Sequence, residues 1–195
     1  MKSHQSVLSR LALVAGTTFV MLTSIAAMAA AATYTWNQTG TASWATSTNW
    51  TPTRTTPATS DVMVFNNGAT TTATSVPTQT IGQLLVSGGT TVTLDNGATA
   101  ITLTVGSGIA GTDLSVASGS ALNVSASGNA VFTMNIPTGN TGSISGSMTW
   151  TAASLATINQ FTTVDASGLT INSGGSIKQG QNSTGNLFGT AGSTL

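Results

Sequence analysis

From Thr91 to Ile171 the chain alternates apolar residues with Thr, Ser or Asn. The alternation runs through Thr91-Val92-Thr93-Leu94, Ile101-Thr102-Leu103-Thr104-Val105, Leu114-Ser115-Val116 and Leu122-Asn123-Val124. It continues in Phe132-Thr133-Met134-Asn135-Ile136, Ser143-Ile144-Ser145, Met148-Thr149-Trp150 and Leu169-Thr170-Ile171. A period of two sends alternate side chains to one face, so each stretch predicts a strand with one buried side. Branching at Cβ in Val and Thr suits a pleated surface. Past Thr33 no stretch sustains a helical period. Only Ala152 to Phe161 breaks the rhythm, and it reads as a short helical turn or a loop.

Turn chemistry separates the strands: Asp95-Asn96-Gly97, Ser107-Gly108, Ser118-Gly119-Ser120, Ser127-Gly128-Asn129, Thr138-Gly139-Asn140 and Ser173-Gly174-Gly175. Strand centres fall about 8–11 residues apart, which fits either a parallel solenoid of two or three strands per coil or an antiparallel β-sandwich. The expected fold is all-β, a parallel β-helix (solenoid) with an amino-terminal Trp-rich cap; the sandwich is the alternative. Stacked coils place like residues about 4.8 Å apart, a spacing that hydroxyl and amide ladders tolerate and repeated charges do not. With coils of about 20 residues, the chain would make about eight coils and a rod of about 40 Å.

Composition sharpens this picture. Charged residues are 4% of the 195, against about 25% in an ordinary globular domain. There is no Glu and no Cys, and the one His is His4. Disulfides and thiolate metal sites are therefore excluded, and no basic stripe is present to recruit nucleic acid. General acid–base chemistry would fall to four Asp: Asp61, Asp95, Asp113 and Asp165. Asp95 and Asp113 could meet on neighbouring coils as a carboxylate pair, but both sit in turn sequences. The chain reads as no enzyme, with no cofactor and no metal site; a calcium ion could use only oxygen ligands, and the glycine-aspartate nonapeptide of calcium β-rolls is absent.

Residues 1–32 have the build of a secretory signal peptide. Lys2 and Arg10 precede an apolar stretch from Leu11 to Ile25, and Ala27-Met28-Ala29 or Ala30-Ala31-Ala32 offers a small-x-small cleavage site. An uncleaved membrane anchor is the alternative, because Leu11 to Ala32 could span a bilayer. Cleavage leaves Arg54 and Lys178 against four Asp, a net charge of about −2, and no membrane insertion.

Residues 33–80 differ from the rest. Tyr34, Trp36, Trp44 and Trp50 cluster there, with Asn49, Pro52, Pro57, Asp61 and Phe65. This W…W…NW…P…D-x-V-x-F pattern resembles the opening of large secreted bacterial β-helix surface proteins, the autotransporter-associated β-strand repeat proteins and the type IX secreted repeat proteins. The resemblance continues through Gly82-Gln83-Leu84-Leu85-Val86 and Leu114 to Leu122, and ends at Gly189. It implies a β-helical protein that is secreted or attached to the cell surface. The carboxy-terminal sorting domain or outer-membrane barrel that those families use is not among the 195 residues.

The expected organisation is thus a signal peptide at 1–32, a Trp-rich cap region at 33–80 and β-solenoid repeats at 81–195 that continue in a longer protein. The expected role is a non-catalytic, secreted or cell-surface structural or adhesive repeat protein, an extracellular matrix or adhesin component. Candidate partners are extracellular polysaccharide or copies of the chain itself. Tyr34, Trp36, Trp44 and Trp50 have two readings: a cap over the first coil, or a glycan-binding platform of exposed rings. A self-assembling filament subunit is another alternative. The last is an ice-binding solenoid with Thr91/Thr93 and Thr102/Thr104 as its array, which Ser115, Asn123 and Asn135 would interrupt.

Overall fold

The computed structural model describes residues 31–127, 130–152, 159–163, 165, 167–180 and 187–188. The signal-peptide segment at 1–32 lies, but for its last two residues, outside the described residues, as does most of Ala152 to Phe161. Among the described residues the chain forms three stacked sheets of short strands, all paired in parallel except one edge strand. It is a β-solenoid, and the sandwich alternative falls.

One sheet, sheet A, contains β1 (Thr33–Trp36), β4 (Val62–Phe65), β7 (Gln83–Val86), β10 (Leu114–Val116), β13 (Gly142–Ile144) and β16 (Leu169–Ile171) in that order. Sheet B stacks β2 (Gly40–Ser43), β5 (Thr70–Thr74), β8 (Thr91–Asp95), β11 (Ala121–Ala126), β14 (Ser147–Ala152) and β17 (Ser176–Gln179). Sheet C stacks β6 (Gln79–Ile81), β9 (Ile101–Val105), β12 (Phe132–Ile136) and β15 (Gln160–Thr163). The antiparallel strand is β3 (Trp50–Thr51), which pairs with the outer edge of β1.

Each full coil has three strands, not two, and this corrects the expected coil length. Thr33 pairs with Val62, Val62 with Gln83, Leu84 with Leu114, Leu114 with Gly142, and Gly142 with Leu169. The steps are therefore 29, 21, 30, 28 and 27 residues. Five steps at about 4.8 Å make a stack of about 24 Å, shorter than the expected rod. Parallel stacking already begins between β1 and β4, well before residue 81.

Inward positions form continuous apolar columns. In sheet B, Ala42, Ala73, Leu94, Val124 and Trp150 lie in register. In sheet C, Leu103, Met134 and Phe161 do the same, each with no exposed surface. Burying a side chain of this size stabilises by about 1.5–3 kcal/mol, and in a solenoid the gain recurs with every coil.

The corner from sheet A to sheet B is a four-residue turn with glycine third: Gly68, Gly89, Gly119 and Gly174 have φ of 70°, 73°, 76° and 83°. Glycine adopts this left-handed region without a Cβ penalty. The fourth residue of the turn can tie one coil to the next. Gly68 N–H donates to Thr90 Oγ1 at 2.9 Å, and Gly89 N–H donates to Ser120 Oγ at 3.1 Å. Between β13 and β14 the turn shrinks to Ser145-Gly146, and a Cβ on Gly146 would lie 2.2 Å from the Ser120 carbonyl oxygen. Gly146→Ala is therefore expected to destabilise the fold by about 1–3 kcal/mol, read as a lower denaturant midpoint at unchanged slope. Thr102→Ala, on an outward position, is expected to move that midpoint little.

Candidate functional site

The first coil has no strand in sheet C. In its place the segment from Trp44 to Asp61 packs against the first strands of the solenoid through Trp44 and Trp50. Here the structure gathers Trp36, Trp44, Trp50 and Phe65. Trp50 meets Trp36 edge-on at 4.8 Å and Trp44 at 4.9 Å, and the Phe65 ring lies 5.5 Å from both Trp36 and Trp50. Two of the three indole N–H groups are satisfied inside: Trp36 Nε1 donates to Thr71 Oγ1, and Trp50 Nε1 to the Trp44 carbonyl, both at 2.9 Å, while the buried Trp44 Nε1 has no partner. All three Trp are 1% exposed. The predicted glycan platform needed open ring faces, and these rings spend theirs on one another and on the first coil. The residues are brought together as a cap; as sugar-stacking residues Trp36, Trp44 and Trp50 are corrected. Tyr34, half-buried, carries the Arg54 guanidinium 5.8 Å from its ring centre.

Beside the rings lies a buried ion pair. Arg54 Nε donates to Asp61 Oδ2 at 2.7 Å, with the two side chains 4% and 1% exposed. The same oxygen accepts the Ala58 N–H at 2.9 Å, and both terminal nitrogens of Arg54 reach Gln79 Oε1 at 3.4 Å. Gln79 stacks in register with Leu103, so this polar group closes the sheet C column where the first coil supplies no strand.

The other carboxylates are also engaged in the scaffold. Asp95 accepts from Ser127 Oγ at 2.8 Å and from the Gly97 N–H at 2.6 Å. Asp165 accepts the Gly139 N–H at 2.6 Å, and Asp113 the Thr141 N–H at 2.7 Å. Asp95 ends a strand of sheet B while Asp113 precedes one of sheet A, and each bonds a different loop of the next coil. Asp113 is 2% exposed and its Oδ1 has no partner. Desolvation raises its pKa, and the Thr141 N–H offsets part of the rise. Among the described residues no three His, Cys, Asp or Glu converge on a possible metal position, and no helix is long and apolar enough to cross a membrane.

Sequence reading missed the buried amides. Asn96 Oδ1 accepts the Ser127 N–H at 3.1 Å, and Asn159 Oδ1 accepts the Phe132 N–H at 3.1 Å while its Nδ2 donates to the Thr151 carbonyl at 2.7 Å. An Asn in a turn sequence looks alike whether it faces water or pins a neighbouring coil.

The outer surfaces carry the remaining chemistry. On sheet B the middle row is Thr41, Thr72, Thr93, Asn123, Thr149 and Lys178, in register. One flanking row is Thr70, Thr91, Ala121, Ser147 and Ser176. The other holds Ser43 over Thr74, then Asp95, Ser125 and Thr151. Sheet C presents Thr80, Thr104, Asn135 and Thr162 in one row. Sheet A is less uniform, with Thr35, Val64, Leu85, Ser115, Ser143 and Thr170. Between sheets B and C, a shallow groove of about 450 Å³ is lined by Val76, Pro77, Asn96, Ala98, Thr99 and others.

Compared with known proteins, the chain matches no family model, and no curated protein or solved structure shows significant similarity to it.

Two outcomes are expected from this site. Arg54→Met strands a buried carboxylate and should cost about 3–5 kcal/mol of unfolding free energy, whereas the double change Arg54→Met with Asp61→Leu should recover much of that loss. For Asp113, the folded state holds its proton to higher pH than the unfolded chain, so its contribution to stability falls as pH rises through the carboxylate range. The melting temperature of Asp113→Asn relative to the parent should therefore climb from pH 4 to pH 7; a difference flat with pH would contradict the burial argument.

Proposed function

We propose that this chain is a non-catalytic, exported β-solenoid that serves as a structural or adhesive rod at a bacterial surface. The observation that carries the reading is where the ionisable groups go. Arg54, Asp61, Asp95, Asp113 and Asp165 are each held by named bonds within or between coils, while the outward rows of sheets B and C are mostly neutral hydroxyls and amides, with Lys178 on the last strand of sheet B. A scaffold that spends its carboxylates on its own loops leaves chemistry to no obvious group and offers its surface for contact. Export is supported by the pattern of Lys2, Arg10, the apolar stretch and the small residues before Thr33. The opening Trp motif adds the resemblance to secreted bacterial β-helix surface proteins. Parallel coils that tie to one another through Thr90, Ser120 and Asn96 suit a role in which stiffness matters more than a moving part.

Fractionation of the native host with protease treatment of whole cells tests the reading. The chain is expected outside the cytoplasm, with its amino terminus at Ala30 or Thr33 after cleavage. Full-length protein retained in the cytoplasm would overturn it.

A further inference from the structure

We propose that the outer face of sheet B is a binding surface for the ordered water of ice. Read along the sequence, the Thr-rich strands looked broken by Ser115, Asn123 and Asn135. The fold sorts them: Ser115 belongs to sheet A and Asn135 to sheet C, and of the three only Asn123 lies on sheet B. Thr102 and Thr104, expected beside Thr91 and Thr93, face outward from sheet C instead. Sheet B gains in their place Thr70-x-Thr72-x-Thr74, which the alternation did not single out, and Ser147-x-Thr149-x-Thr151, which extends the alternating Met148-Thr149-Trp150 by a hydroxyl on each side. Of its sixteen outward positions, twelve are Thr or Ser.

The geometry gives this composition a ligand. In-register parallel strands repeat about every 4.8 Å across the sheet, and outward residues repeat about every 6.6 Å along a strand. The hydroxyls thus form a two-dimensional lattice, each able to donate and accept. Their orientation is partly fixed: Thr74 Oγ1 donates to the Ala42 carbonyl at 3.2 Å and Thr151 Oγ1 to that of Val124 at 3.4 Å, leaving lone pairs free to accept from water. Liquid water gains nothing from a regular array, because it rearranges to suit any surface. A crystalline ligand does, since one register then satisfies every position at once, and weak contacts made together on a rigid frame hold like a multivalent one. Crystalline polysaccharide is the competing lattice, but sugar rings stack on aromatic faces, and this face has none; Trp36, Trp44, Trp50 and Trp150 are all buried. Charges that would organise water differently are confined to the margins, Lys178 on the last strand and Asp95 bonded to Ser127 and Gly97.

This deepens the surface-rod reading by naming what one face holds, and it depends on that reading only for export. The purified protein is tested by its partition into slowly growing ice and by thermal hysteresis. Enrichment in the ice fraction is expected, with most of it lost in Thr93→Tyr and in Thr149→Tyr. Thr133→Tyr, outward on sheet C, should leave it unchanged, and circular dichroism of each variant separates loss of the face from loss of fold. Exclusion of the parent protein from ice, or equal loss in Thr133→Tyr, would overturn the proposal. Retention on crystalline cellulose or chitin without entry into ice would overturn it too, by assigning the face to polysaccharide. None of these outcomes touches the cell-fractionation result on which export stands.

Discussion

In-register parallel pairing is the constraint from which the other features of this molecule follow. A residue in one coil lies beside its counterpart in the next at about 4.8 Å, so whatever is chosen once is met again at every level. An apolar residue chosen for the inside becomes a column, as with Leu103, Met134 and Phe161. A charge chosen for the outside would become a column of like charges, which repel. Hydroxyls and amides escape the penalty because they both give and accept hydrogen bonds. The scarcity of charge, 4% of the chain, is thus a consequence of the stacking rule.

The same rule makes the ends of the stack the difficult places. A first coil exposes a strand edge on one side and the bottom of the apolar columns on the other. This chain answers the first problem with the antiparallel strand Trp50–Thr51 against β1, and the second with interlocked indoles and Phe65. The buried Arg54–Asp61 pair belongs to the same closure. Such a pair adds little net stability of its own, but losing one partner is costly. Its value lies in holding the segment from Trp44 to Asp61 in one conformation, with Asp61 also fixing the Ala58 amide.

Much of the strand content was legible because alternation is a local property. All eight alternating stretches from Thr91 to Ile171 overlap strands of the solenoid. The strands before them were less visible for physical reasons. Val62–Phe65 is apolar at every position, which a strand and a buried helix segment share, and Thr70–Thr74 has almost no apolar residue to alternate. The coil length was misjudged because strand spacing was legible but the number of strands per coil was not. Three strands take 27 to 30 residues per coil from β7 onward but only 21 between β4 and β7, because the connections between strands there are shorter. The Trp cluster was legible as a cluster, yet ring exposure depends on what folds over it, and Asn96 and Asn159 carried no mark of the neighbouring coils they pin.

The sequence by itself determined that this is a β protein with alternating inner and outer faces, poor in ionisable groups and punctuated by glycine turns. Those properties follow from the side chains of a residue and its near neighbours. Only the tertiary structure decided which strands share a sheet, that three Trp are sealed inside, and that the hydroxyls of distant segments form one surface. Stacking joins residues about 20 to 30 positions apart, and that partnership is set by the length and hand of every intervening turn, which no local pattern records.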